Sequence, residues 1–300
     1  MKRLVYLLSR TDNAVLRPGI PRPRIHTMDE LRGLAVLCMI FYHAFYTMAF
    51  LFGIPLGRTL LYFFMPAEPY FAGLFILISG ISCQLSHSNL IRGAKLLLVA
   101  AAVSAVTLIF IPQEAIRFGI LHLLSVGMLL FGCLAPLLNK VNVWLGLLIT
   151  GGLFACTMYI GTLGFGIPGL FSLPVPQVPY ALQFLYPNYS LGGVPYSADY
   201  FPLIPWVFLF LFGSFLGRFA REGLFPQFLY RSRVPALSWL GKHALIIYIV
   251  HQPVIFGVTY GVMFLLQAAG LWQGTLPTLF CPAFWKHIRH NAVSPPSPSF

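Results

Sequence analysis

Arg32 and His43 stand eleven residues apart in an apolar run. Eleven steps of about 100° return a helix to nearly the same face. Asp29 lies on that stripe too, one turn before Arg32. A rise of about 1.5 Å per residue sets His43 roughly 16 Å deeper than Arg32. In a membrane helix this puts Arg32 at a surface and His43 near the bilayer middle, where an ionisable side chain is costly unless it is used. A neutral imidazole can take a proton from a hydroxyl or amine as that group attacks an acyl carbon. The competing reading is a buried histidine hydrogen-bonded to a neighbouring helix, with Tyr42 and Tyr46 close by. At the shallow end, Arg32 can grip the phosphate of a cytoplasmic donor while Asp29 holds its guanidinium in place. An acid in a first helical turn also favours the helix dipole, and an Arg at the inner face also sets topology.

His251 lies nine residues beyond Lys242, about 13 Å along a helix, close to the depth of His43. Two histidines at one level can line one cavity. Tyr248 and Gln252 add polar groups, and Pro253 predicts a kink there. His122 follows Arg117 by five residues and is therefore shallow, either interfacial or facing an acceptor pocket. Asp199 is the one charged residue of loop 161–200, a candidate for binding a polar acceptor or a simple helix-start acid. Lys242, Arg92, Lys95 and Arg218 can clamp phosphates, although orientation also explains them. There is no His-x-x-x-His and no paired carboxylate, so no metal is expected. Of the five cysteines, Cys38, Cys83, Cys133 and Cys156 sit in apolar runs and none forms Cys-x-x-Cys, so they read as packing residues.

The elements that must hold these groups are membrane helices. The chain of 300 residues is 58% hydrophobic and 9% charged, with a mean hydropathy of +0.81. Soluble domains carry about a quarter charged residues. The expected fold is an all-α, polytopic helix bundle in the lipid bilayer. About seven spans are expected, near 33–53, 70–87, 93–111, 117–137, 141–160, 201–219 and 237–266. Ser79-Gly80-Ile81-Ser82 predicts close helix packing through small residues. The net charge of +12 follows from a scarcity of acids and gives no nucleic-acid footprint.

With the N-terminus in the cytoplasm, all of the 19 Lys and Arg residues except Arg58, Arg117, Lys286 and Arg289 face inward, as the positive-inside rule requires. Residues 1–26 form a basic, Pro-containing cytoplasmic leader, and Thr27 with Glu30 makes a capping-box pattern opening the first helix. Residues 27–268 make the transmembrane domain. Residues 269–300 read as a weakly structured tail. Loop 161–200 has no Lys or Arg and is too apolar for a solvated linker. It is expected to fold back over the outer helix ends as a lid or re-entrant cap. Asn188-Tyr189-Ser190 matches a glycosylation sequon.

Five stretches then occur in a telling order: Asp29-x-x-Arg32-Gly33 to His43, Phe75-Ile-Leu-Ile-Ser79-Gly80-Ile-Ser82, Phe118-Gly-Ile-Leu-His122, Asp199-Tyr-Phe-Pro-Leu-Ile-Pro-Trp206, and Leu240-Gly-Lys-His through Tyr248 to His251-Gln-Pro253. Over roughly residues 24–258 the chain resembles bacterial members of the heparan-alpha-glucosaminide N-acetyltransferase catalytic family, within a wider group of transmembrane acyltransferases. The spacing of Arg32 and His43 also matches a signature of the related acyltransferase-3 enzymes. The resemblance implies an acetyl-CoA or other acyl-CoA donor on the cytoplasmic side and a glycan or lipid-linked sugar acceptor on the other. It implies His43 as the catalytic group and Arg32 as essential on the donor side. Bacterial relatives often carry an Asp shortly after this His, where this chain has Thr47. The resulting expectation is a plasma-membrane acyltransferase. Asp29, Arg32 and Lys242 would bind the donor. His251, Tyr248 and Gln252 would line the cavity, with Asp199 and His122 toward the acceptor. The alternative is a proton-coupled small-solute transporter using the same midplane histidines. The sequence leaves oligomeric state open, a homo-oligomer included.

Overall fold

The structure is a computed structural model that describes residues 24–187, 196–272, 274 and 276. Most of the basic leader, the Asn188 sequon and most of the tail lie outside the described residues. Helices dominate: α1 (His26–Tyr46), α2 (Pro55–Phe64), α3 (Glu68–Gln84), α4 (Asn89–Phe110), α5 (Ile120–Leu138), α6 (Val143–Thr157), α7 (Leu203–Arg221), α8 (Pro235–Lys242) and α9 (Ala244–Ala268). Six helical stretches among the described residues are long and apolar enough to cross a membrane: His26–Leu51, Pro55–Gln84, Asn89–Phe110, Ile120–Leu138, Leu203–Arg221 and Ala244–Ala268. Val143–Thr157 is a shorter apolar helix. Leu98, Ile109, Leu148, Val258 and Leu265 expose most of their surface, as lipid-facing side chains do. The fold is therefore the expected all-α polytopic bundle.

Three boundaries differ from the hydropathy reading. The first helix begins at His26 and ends in a π-helical turn, Thr47–Leu51. The second span is extended upstream by α2, which starts after Gly53 in the left-handed region (φ 64°) with Pro55 in its first turn. The last expected span divides at His243, whose backbone N–H closes α8 by donating to the Leu240 and Trp239 carbonyls. α9 then runs as one helix through Pro253. The capping box at Thr27 is absent. Thr27 Oγ1 is buried without a partner among the described residues, and Glu30 Oε1 instead accepts the backbone N–H of Val234, 3.0 Å away. That contact caps α8 from a residue 204 positions away.

The chain divides into two compact units, Met1–Met28 with Gly73–Arg233, and Asp29–Ala72 with Val234–Phe300. In the first, α4 packs on α5, α6 on α7 and α5 on α7. The small-residue stretch of α3 does what its composition predicts: a Cβ on Gly80 would stand 2.0 Å from the Phe210 carbonyl oxygen of α7. Ser79 and Ser82 return their hydroxyls to the Phe75 and Ile78 carbonyls, 2.8 Å each. At one end Gln84 ties α3 to Asn139 and accepts from Arg221 of α7. The described residues of loop 161–200, which are 161–187 and 196–200, hold regular local structure. It holds an antiparallel hairpin, β1 (Phe165–Ile167) with β2 (Phe171–Leu173), registered Phe165 to Leu173. Its end hydrogen-bonds Leu203 and Ile204 to the Phe184 and Leu185 carbonyls.

In the second unit, α1 and α8 meet backbone to backbone. A Cβ on Gly241 would lie 1.9 Å from the Asp29 carbonyl oxygen, and one on Gly33 would lie 1.9 Å from that of Leu237. α9 packs on the π-helical turn, with Phe52 against Phe256 and Tyr260.

Candidate functional site

The π-helical turn and α9 bring the two expected imidazoles together. The rings of His43 and His251 stand 4.9 Å apart, centroid to centroid, tilted by 56°. His43 also meets Tyr42 edge-on at 5.5 Å, and Tyr42 leans on Phe71. His251 is buried. Its Nδ1–H donates to the Tyr248 carbonyl, 2.6 Å away, and the Tyr248 ring lies 5.5 Å from its own. Tyr248 therefore lies against His251 through both backbone and ring.

Four polar atoms in this unit are buried without a partner among the described residues: Thr47 Oγ1, Ser238 Oγ, His251 Nε2 and Gln252 Oε1. Native interiors satisfy nearly all such groups, so each exception calls for a cause. Several helical hydroxyls bond back to a carbonyl one turn earlier, as those of Thr107, Thr150 and Thr157 do. Thr47, which opens the π-helical turn, makes no such bond, and its carbonyl accepts from Phe52 five residues on. The sequence marks Thr47 only as standing where bacterial relatives often carry an Asp, and no local pattern announces the π-turn.

The expected donor-side residues also share one neighbourhood. Arg32 NH1 donates to Asp29 Oδ1 at 3.4 Å. The α1–α8 crossing at Gly241 sets the backbone of Lys242 beside that of Asp29. Arg32 and His43 remain on one helix, about 16 Å apart along its axis.

His122 and Asp199 meet in the other unit, at the start of α5. Asp199 Oδ2 accepts the Ile120 N–H at 3.1 Å. The Gly119 N–H donates to His122 Nδ1 at 3.3 Å. Nδ1 is therefore the bare nitrogen, and Nε2–H donates to Ser104 Oγ, 3.3 Å away. Ser104 in turn donates to the Ile116 carbonyl. Both residues thus serve the free N–H groups of a helix start. Arg117, one turn earlier, marks only the outer face in the sequence. It donates to the Tyr196 carbonyl at 3.1 Å and lies over the Tyr180 ring at 5.8 Å, and its backbone N–H donates to Ser197. Burial, with Tyr180 beside it, holds the Tyr196 phenol above its usual range, and Arg117 opposes the rise. Among the described residues no three His, Cys, Asp or Glu side chains gather as a metal site.

The helices and their apolar surfaces make this a multi-pass membrane protein. The family model for heparan-alpha-glucosaminide N-acetyltransferase, catalytic, matches residues 24–253, and the chain belongs to that family of membrane acetyltransferases. No curated protein and no solved structure matches it.

Proposed function

We propose that this protein moves an acyl group, acetyl foremost, from cytoplasmic acyl-CoA to a hydroxyl or amine of a glycan or lipid-linked sugar. The observation that supports it best is the imidazole pair of His43 and His251, set at the depth a helix reaches about 16 Å past the Arg32 level. His43 is the general base. It takes the proton of the acceptor as the acceptor's oxygen or nitrogen attacks the thioester carbonyl. The carbon–sulfur bond breaks, and the departing thiolate takes the proton back. An acyl group carried briefly on His43 meets the same balance.

Arg32, steadied by Asp29, grips a donor phosphate beside Lys242 at the cytoplasmic mouth. His251, Tyr248 and Gln252 line the cavity, and Asp199 and His122 lie toward the acceptor. The N-terminus is cytoplasmic in this reading, and the membrane is the plasma membrane of a bacterium. Purified protein given labelled acetyl-CoA and a panel of glucosaminides and lipid-linked sugars is expected to label an acceptor. Proton-driven solute uptake in vesicles with no thioester cleavage would overturn the proposal in favour of a transporter.

A further inference from the structure

His251 carries more information than a cavity wall needs. Its Nδ1 faces the Tyr248 carbonyl at 2.6 Å. A carbonyl can only accept, so Nδ1 holds the proton. In the neutral ring Nε2 is then a bare lone pair. That lone pair is buried and meets no donor among the described residues. The ring of His43, 4.9 Å away, makes no hydrogen bond among the described residues and has one N–H to give when neutral. One ring thus holds an acceptor without a donor, and its neighbour a donor without an acceptor. At this centroid separation, a His43 ring N–H aimed at Nε2 can reach a hydrogen-bond length of about 2.9 Å while His251 keeps its bond to Tyr248. Thr47 Oγ1, buried and unpartnered one turn past His43, is the rival donor for the same lone pair.

We propose that His251 is a positioning residue for His43. Its Nε2 accepts the ring N–H of His43 when the substrates close the site. That bond fixes the tautomer of His43 and turns the other nitrogen, as a lone pair, toward the acceptor hydroxyl or amine. When His43 takes the acceptor's proton, the imidazolium still donates to His251. The proton then leaves on the thiolate, and His251 keeps its own throughout. The inference rests on the reading of His43 as the base.

Two measurements test it on the full chain in lipid nanodiscs. The first is acetyl transfer from labelled acetyl-CoA to a glucosaminide probe across pH. His251→Leu is expected to lower kcat by about 100-fold, with the KM for acetyl-CoA nearly unchanged and the acid limb of the pH profile displaced. His251→Asn should restore most of the rate, because its amide can donate to Tyr248 and accept from His43. Thr47→Val, which deletes the rival hydroxyl, should change little. The second is nitrogen-15 NMR of histidine-labelled protein, which reads the tautomers whether or not any probe is acetylated. Wild type should show His251 protonated at Nδ1 alone and His43 in one tautomer, and His251→Leu should leave His43 mixed. A proton on Nε2 of His251 in wild type overturns the proposal. So does a His251→Leu protein that keeps the wild-type kcat and pH profile. If wild type acetylates no probe, the acyltransferase reading is what fails, and the tautomer measurement still decides the pairing.

Discussion

His43 and His251 come from helices near opposite ends of the chain, yet their rings lie 4.9 Å apart. The register that achieves this is partly written in residue spacing. Counting from Arg32 and from Lys242 predicts similar depths, although the break at His243 separates Lys242 from the helix that carries His251. Which lone pair is free is not written there. It follows from the Tyr248 carbonyl accepting the Nδ1–H, which leaves Nε2 bare, a three-dimensional fact. At the donor end the proposed chemistry depends on planar geometry. Arg32→Lys keeps the charge but loses the fork that grips a phosphate through two bonds. It is expected to raise the KM for acetyl-CoA about tenfold while leaving the acceptor KM unchanged. Unchanged acetyl-CoA affinity in a binding titration would remove Arg32 from that role.

At the scale of elements, hydropathy finds the long helices, because a membrane span needs about 20 apolar residues and little else. It fails where the backbone obeys other rules. α2 escapes because Pro55, Gly57 and Arg58 interrupt the apolar run, although Pro is at home in a first turn. The break at His243 escapes because apolar residues continue on both sides of it. Gly33 and Gly241 look like ordinary helix-weakening glycines, since no one-dimensional signal pairs positions so far apart. The structure reverses the sign of their effect. An exposed Gly→Ala change in a helix gains about 1 kcal/mol. Gly241→Ala would instead press a methyl group into the Asp29 carbonyl and should cost about 1–3 kcal/mol. Thermal unfolding in detergent measures this, and a raised midpoint would contradict the crossing.

At the scale of the whole molecule, the sequence reads as consecutive spans, whereas the compact units draw on separated segments, Asp29–Ala72 joining Val234–Phe300. Such pairing leaves no trace in hydropathy, because lipid-facing and helix-facing residues are equally apolar. Orientation, by contrast, is carried by charge alone. With the N-terminus inside, loop 161–200 faces outward, and the exposed Tyr180 within it is a fit reporter. In intact cells a cysteine placed at position 180 is expected to react with membrane-impermeant thiol reagents added outside. Protection from outside reagents, with labelling from the cytoplasmic face alone, would invert the topology and the direction of transfer.

The most direct test combines the base with the reaction. Wild type and His43→Ala are purified in nanodiscs, shown to bind acetyl-CoA alike, and given labelled acetyl-CoA with the acceptor that wild type uses. Loss of the imidazole is expected to slow transfer by about 10²- to 10⁴-fold with the donor still bound. A His43→Ala protein that transfers the label at the wild-type rate would contradict the role of His43 and with it the proposed chemistry.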